Sequence, residues 1–234
     1  MARTVKKLAI FDMDGTLVDF AIDSKAVRAD AIEYLVSTLS LPGDLLDISY
    51  PWTELIAKTR AYLQREQREE SDWNEIRTAV YKIAEMYEDK AAEISTPMAG
   101  IEAVLEDLKQ SGIIMAVCTF NSTKNALNVL KRNGIDEFFS SIAGRDKVPD
   151  KTKPNPAHGQ YIFDELGVSP EHACMIGDHP NDIQMAAALG IKSIAITSER
   201  HGAADFARFS DVVFVGDDEY HLLAKAIKIA LGIA

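Results

Sequence analysis

The chain has 234 residues, 47% hydrophobic and 26% charged, with a formal net charge of −11 at pH 7. This composition excludes a chain that is disordered throughout. The acidic balance excludes a nucleic-acid-binding surface, which needs basic patches, and requires any phosphate site to carry its own local positive charge.

In chain order, the first element is a short apolar strand, Leu8–Phe11, which ends abruptly in acidic residues. From about Ala21 to Ala92 there is no strand signal. Three charged, amphipathic stretches follow one another instead, Ser24–Leu39, Trp52–Glu70 and Ser71–Ala92, punctuated by Pro42, Gly43 and Pro51. Strand–helix connections are usually a few residues long, so a stretch of this length predicts an inserted helical unit. Beyond it, helix and strand patterns alternate. Helices are expected at Gly100–Gln110, Thr123–Arg132, Ala157–Leu166, Asn181–Leu189 and Tyr220–Leu231, and strands at Ile113–Cys118, Ala173–Ile176, Ser193–Ile196 and Asp211–Val215. Short apolar runs bounded by Gly, Asp or Thr suit strands buried on both faces of a parallel sheet. The pattern predicts an α/β fold.

No apolar run approaches the roughly 20 residues that span a bilayer. The opening MARTVKKLAIFDMDG lacks the longer apolar region of a signal peptide. A cytoplasmic protein with no membrane attachment is expected. Cys118 and Cys174 each lie in an apolar run and outside any ligand-spacing motif, which predicts buried reduced thiols.

Four segments carry chemistry. The first is AIFDMDGTLVD, Ala9–Asp19, in which Asp12 and Asp14 stand at the carboxyl end of a strand. Ligands of open α/β sheets bind at that edge. Neighbouring carboxylates separate in proton affinity, so the pair can supply a nucleophile and a general acid. Gly15 allows a backbone geometry closed to other residues. The second is ACMIGDHPNDIQMAAALG, in which Asp178 ends a strand and Asp182 opens a helix. Asp182 by itself reads equally as a helix cap. Two acidic pairs at two strand ends supply the oxygen ligands a hard cation such as Mg²⁺ needs.

The third is AVCTFNSTKNAL, where Thr119 and Asn121 can hold phosphate oxygens at a helix entrance or simply cap the helix. The fourth is DKTKPNPAHG, where Lys153 precedes Pro154 and Pro156. Its ammonium can neutralise phosphate or belong to solvated surface.

In this order, Asp12-x-Asp14-Gly15-Thr16, Thr119, Lys153-Pro154 and Gly177-Asp178 with Asp182 resemble the haloacid dehalogenase superfamily of phosphohydrolases over nearly the whole chain. The closest resemblance in pattern is to its phosphoglycolate-phosphatase-like members. The resemblance implies a Rossmann-like parallel-sheet core at residues 1–19 and 93–234, with a helical C1-type cap at 20–92. It implies a Mg²⁺-dependent phosphatase that hydrolyses a small phosphate monoester, phosphoglycolate- or sugar-phosphate-like, through an aspartyl-phosphate. Asp12 is then the nucleophile and Asp14 the acid and base. Mg²⁺ is held by Asp12, the main-chain carbonyl of Asp14 and Asp178, with Asp182 in support. Thr119 and Lys153 hold the phosphoryl oxygens, and Asn121 joins them in phosphate binding or touches the substrate. The implied partner is a small phosphorylated metabolite.

A dehalogenase would not need Asp14. A phosphomutase of the same fold keeps it, and a catalytically silent regulatory protein would not need every catalytic position intact. His179 is expected as an exposed loop residue and Phe120 as a wall of the substrate pocket. The cap cations Lys25, Arg28, Lys58, Arg60, Arg65, Arg68 and Arg77 are expected in solvent or in helix pairs. Trp52 and Trp73 are expected to line a pocket or pack within the cap.

Overall fold

The computed structural model describes residues 5–233. Among the described residues six strands form one sheet, all pairs parallel, in the order β3-β2-β1-β4-β5-β6. They are β1 (Leu8–Phe11), β2 (Ile114–Cys118), β3 (Phe139–Ala143), β4 (Ala173–Gly177), β5 (Lys192–Thr197) and β6 (Val212–Gly216). The protein is an α/β Rossmann-like fold, as the alternation of strand and helix patterns requires.

The sheet forms because its central strands have no polar face to offer water. Every residue of β1 is fully buried, as are Ala116, Val117 and Cys118 of β2 and Met175 and Ile176 of β4. Burying each large apolar side chain contributes about 1.5–3 kcal/mol, and a parallel sheet covered on both faces buries both sides of each strand. On one face, Leu8, Ile10, Cys118 and Met175 pack with Ile162, Phe163 and Met185. The last three come from α6 (Ala157–Leu166) and α7 (Pro180–Leu189). Strand β3 was not anticipated. It is an edge strand whose Ser140 is exposed and whose Ser141 is buried, so it carries no continuous apolar run.

The chain divides into two compact units, one running to Ala21 and resuming at Ile94, the other Ile22–Glu93. The second unit is helical: α1 (Ser24–Leu39), α2 (Trp52–Arg65) and α3 (Glu70–Ile94). Leu35, Leu55, Leu63, Trp73 and Val80 form its core, with Trp52 packed against it. Both tryptophans therefore serve packing within this unit. The helix expected to continue to Glu70 stops at Arg65, and Gln67 takes a positive φ of 55° before α3 begins. Its cations are largely paired within the unit. Arg60 meets Glu70 at 2.9 Å, Arg68 meets Asp72 at 2.8 Å, and the Arg28 Nε donates to the Ile48 carbonyl at 2.9 Å.

The remaining helices are α4 (Ile101–Gln110), α5 (Thr123–Arg132) and α8 (Tyr220–Ala230). Among the described residues no helix is long and apolar enough to cross a membrane. Cys118 and Cys174 are both buried and unpaired. Burial pushes the Cys174 thiol up to about 12 and raises Cys118 as well.

Candidate active site

The carboxyl ends of β1, β2 and β4 bring the sequence-predicted residues together. Asp12 directly follows β1, and its N–H donates to the Ile176 carbonyl of β4 at 2.8 Å. The parallel ladder thus carries one residue past the strand and fixes where the side chain starts. Asp12 Oδ1 accepts the Met13 N–H at 2.7 Å and meets Lys153 Nζ at 2.8 Å. Both contacts use the same oxygen. Among the described residues, Oδ2 has no protein hydrogen-bond partner.

Lys153 is fully buried, contrary to a solvated loop lysine. Its ammonium lies 2.6 Å from Asp182 Oδ1 as well as 2.8 Å from Asp12, and 5.3 Å from the centre of the Phe120 ring. Burial by itself disfavours the charged amine, but Asp12 and Asp182 outweigh it and the pKa is raised. Lys153 is therefore a permanent cation at this edge, the local positive charge that an acidic protein needs there.

Asp182 serves two structures at once. Its Oδ2 accepts the His179 N–H at 3.1 Å in a capping box at the start of α7, and its Oδ1 holds Lys153. His179 is half-buried, not an exposed loop residue: it is the N-cap of α7, and its Nδ1 accepts the Asn181 N–H at 3.0 Å. Its ring also meets His201 edge-on at 5.0 Å. Burial and His201 hold its pKa down at about 4.

Asp12, Asp178 and Asp182 are buried, and each offers an oxygen within 4.8 Å of the others. Burial first, then the Asp12 charge, push the Asp178 pKa up to about 7, against the pull of Arg200 and Lys153. Asp182 is raised for the same two leading reasons. Crowded, desolvated carboxylates of this kind suit a hard divalent cation. Gly15 supports that fit. It has φ +80°, and a Cβ there would stand 2.3 Å from Asp178 Oδ2. At Gly177 a Cβ would stand 2.3 Å from Asp182 Oδ2. Both glycines leave room for a carboxylate to turn inward. Asp14 is half-buried two residues after Asp12, in a main-chain bridge to Val18, and its carboxylate is not one of the three that cluster.

Thr119 follows β2 and is buried; its N–H donates to the Ala143 carbonyl at 3.0 Å. Its Oγ1 accepts the Asn121 N–H at 3.2 Å. The Asn121 amide donates to Asn125 Oδ1 at 3.3 Å, so that side chain is turned toward α5. The cap of α5 is Ser122, whose side chain accepts the Asn125 N–H.

Three residues of this site were not read from the sequence. His158 is fully buried; its Nδ1 accepts the Lys153 N–H at 3.2 Å, and its Nε2 lies 3.0 Å from the Ala143 carbonyl. Tyr220 donates its hydroxyl to the Thr16 carbonyl at 2.7 Å and so ties α8 to the first motif. Arg200 reaches Asp178, with Nη1 3.5 Å from Oδ2. The only local signal for any of them is the position of His158 five residues after Lys153; the other two meet the site across the fold.

The description "haloacid dehalogenase-like hydrolase" belongs to the family model that matches residues 6–190. A phosphoglycolate phosphatase of Vibrio cholerae is 31% identical over 217 residues, 91% of this chain and 93% of its own. One from Aliivibrio fischeri is 28% identical over 229 residues, 96% and 97%. The crystal structure of a predicted phosphoglycolate phosphatase from Haemophilus somnus aligns with a TM-score of 0.62 at 25% identity, covering 94% of this chain and 97% of that one. The chain belongs to the haloacid dehalogenase-like hydrolase family. It is an enzyme of the phosphoric monoester hydrolase class.

Proposed function

We propose that the protein hydrolyses a small phosphate monoester, phosphoglycolate- or sugar-phosphate-like, in two steps through a phosphorylated Asp12. The observation that carries this reading is the state of the Asp12 carboxylate. Oδ1 is pinned by Met13 N–H and Lys153, while Oδ2 has no protein partner among the described residues. A carboxylate held at one oxygen is oriented to attack with the other.

In the first step Asp12 Oδ2 forms a bond to phosphorus as the ester P–O bond breaks. Asp14 gives its proton to the departing alkoxide. In the second, Asp14, now a carboxylate, takes a proton from water, whose oxygen attacks phosphorus and displaces Asp12. Inorganic phosphate and the starting carboxylate result. Thr119 and Lys153 hold the phosphoryl oxygens while charge redistributes, and Asp182 keeps Lys153 in place. Asp12, Asp178 and the main-chain carbonyl of Asp14, with Asp182 in support, would hold a Mg²⁺ ion, which neutralises the charge between anionic ester and anionic attacker.

Unit Ile22–Glu93 is read as a cap that selects the substrate. Two buried, unpaired thiols fit a reducing, cytoplasmic compartment.

The test is phosphate release over a panel of small monoesters with Mg²⁺, alongside Asp12→Asn. The isosteric amide should fold and release no phosphate. Turnover in that variant equal to the native enzyme would remove Asp12 from the chemistry.

A further inference from the structure

Lys153 is enclosed by Asp12 and Asp182. A second cation reaches the same cluster from a different strand. Arg200 lies three residues past the end of β5, in a turn closed by Ser198 N–H on the His201 carbonyl at 3.0 Å. The Arg200 N–H in turn donates to Ser198 Oγ at 3.2 Å. Its guanidinium carbon sits 3.4 Å above the centre of the Phe20 ring. Stacking of this kind sets the plane of the guanidinium and leaves its edge available for hydrogen bonding.

The protein does not use that edge fully. The carboxylate partner of Arg200 is Asp178 at 3.5 Å, longer than the roughly 2.7–2.9 Å of a charge-assisted hydrogen bond. The Arg200 side chain is 42% exposed, against 5% for Asp178. A cation placed only to neutralise Asp178 would close on it. This one is stacked on the Phe20 ring and left part-exposed.

Its position relative to the phosphate site follows from the strand order. Thr119 follows β2 and Arg200 follows β5, with β1 and β4 between them. Three strand spacings separate the two ends, roughly 14 Å. Thr119 is thus on one side of Asp12 and the guanidinium on the other, with Lys153 bridging Asp12 to Asp182 between them. Asp12 and Asp178 offer oxygens within 4.8 Å of each other, and Arg200 Nη1 lies 3.5 Å from Asp178 Oδ2. A substituent one or two carbons from the ester oxygen would reach it.

We propose that Arg200 determines specificity by binding a carboxylate on the part of the substrate that is not transferred. A planar two-oxygen anion matches the guanidinium fork better than a hydroxyl or an alkyl group does. This inference rests on the phosphatase reading above and adds to it a residue outside the four motifs.

The experiment compares two esters of the same skeleton, phosphoglycolate and ethyl phosphate, which differ in carboxylate against methyl. The quantity read is the ratio of their kcat/KM values in the native enzyme, Arg200→Gln and Arg200→Lys. The ratio should fall about 10- to 100-fold in Arg200→Gln, mainly through KM for phosphoglycolate, with Arg200→Lys intermediate. An unchanged ratio would overturn the assignment. So would equal losses on both esters, which would show Arg200 acting only through Asp178. A native enzyme that releases phosphate from other small monoesters but does not prefer phosphoglycolate to ethyl phosphate would also overturn the assignment. Absence of phosphate release across the whole monoester panel would instead overturn the phosphatase reading itself, and this inference with it.

Discussion

The imidazole of His158 accepts the main-chain N–H of Lys153 at 3.2 Å, and its other nitrogen lies 3.0 Å from the carbonyl of Ala143. Because Nδ1 accepts, the proton of the neutral ring is on Nε2, which donates to Ala143. The same carbonyl receives the Thr119 N–H at 3.0 Å. One buried ring therefore joins the backbone of the two residues proposed to hold the phosphoryl group, although they lie 34 positions apart.

That link predicts an order among substitutions. Asn at 158 places an amide oxygen where Nδ1 stood and keeps the bond from Lys153. Gln reaches only toward Ala143, and Leu makes neither bond. Turnover should fall in the order Asn, Gln, Leu, with Leu down on the order of 10²-fold, since small displacements of positioned groups carry costs of that size. Steady-state phosphate release on the three variants checks it. Equal activities for Asn and Leu would dismiss the link.

The same ring predicts an acid limb of stability. Burial first, then the Lys153 charge, lower the His158 pKa from 6.5 to about 4, against smaller upward pulls from the carbonyls of Ala143 and Gly144 and from Asp12. The folded pKa is below the unfolded one, so the unfolded chain binds the proton first. The contribution is fully present above pH 6.5 and is lost as pH falls toward about 4. Its size is about 3 kcal/mol at most. Urea midpoints at pH 7 and pH 5 should differ more for the native protein than for His158→Leu. Parallel changes in the two proteins would count against this assignment.

A divalent cation held by the carboxylate trio should stabilise the fold by mass action. Millimolar Mg²⁺ should raise the thermal midpoint of the native protein, and chelator should reverse the rise and stop phosphate release. Asp178→Asn should lose both responses while keeping its fold, because an amide is a weaker ligand of the same shape. Thermal scans with and without Mg²⁺ decide it; a Mg²⁺ response retained in the variant would exclude Asp178 as a ligand.

Gly15→Ala tests the room left for Asp178. At φ +80° a side chain is strained, and its Cβ would fall 2.3 Å from Asp178 Oδ2. The strain alone costs about 1 kcal/mol or more, and displacement of the carboxylate should weaken Mg²⁺ binding besides. Gly43→Ala is the control, because nothing lies within 4 Å of a Cβ there. Calorimetric titration with Mg²⁺ and denaturant unfolding on both variants measure the two effects.

Elements whose own residues decide their environment were legible without coordinates. Leu8–Phe11, Ser24–Leu39, Thr123–Arg132 and Ala157–Leu166 were read with their observed bounds, because continuous apolar runs and helical periodicity are local properties. Phe139–Ala143 was not, since an edge strand with a half-polar pattern is defined by the neighbour it pairs with. Expecting Trp52–Glu70 as one helix failed at Gln67, where a residue without a turn signature takes a positive φ. At the site, the acidic residues and Thr119 announced themselves by their place around the ends of apolar strands, and Lys153 by the prolines that follow it. Local chain pattern revealed which chemical groups the protein owns and, for Asp12, Thr119 and Asp178, the strand ends at which they stand. Assembly of the fold is what buries Lys153 between two carboxylates, turns Asn121 toward a helix, and brings His158, Tyr220 and Arg200 to the site. The physical reason is that burial and hydrogen-bond partners are properties of pairs, and these pairs meet only when the sheet is assembled.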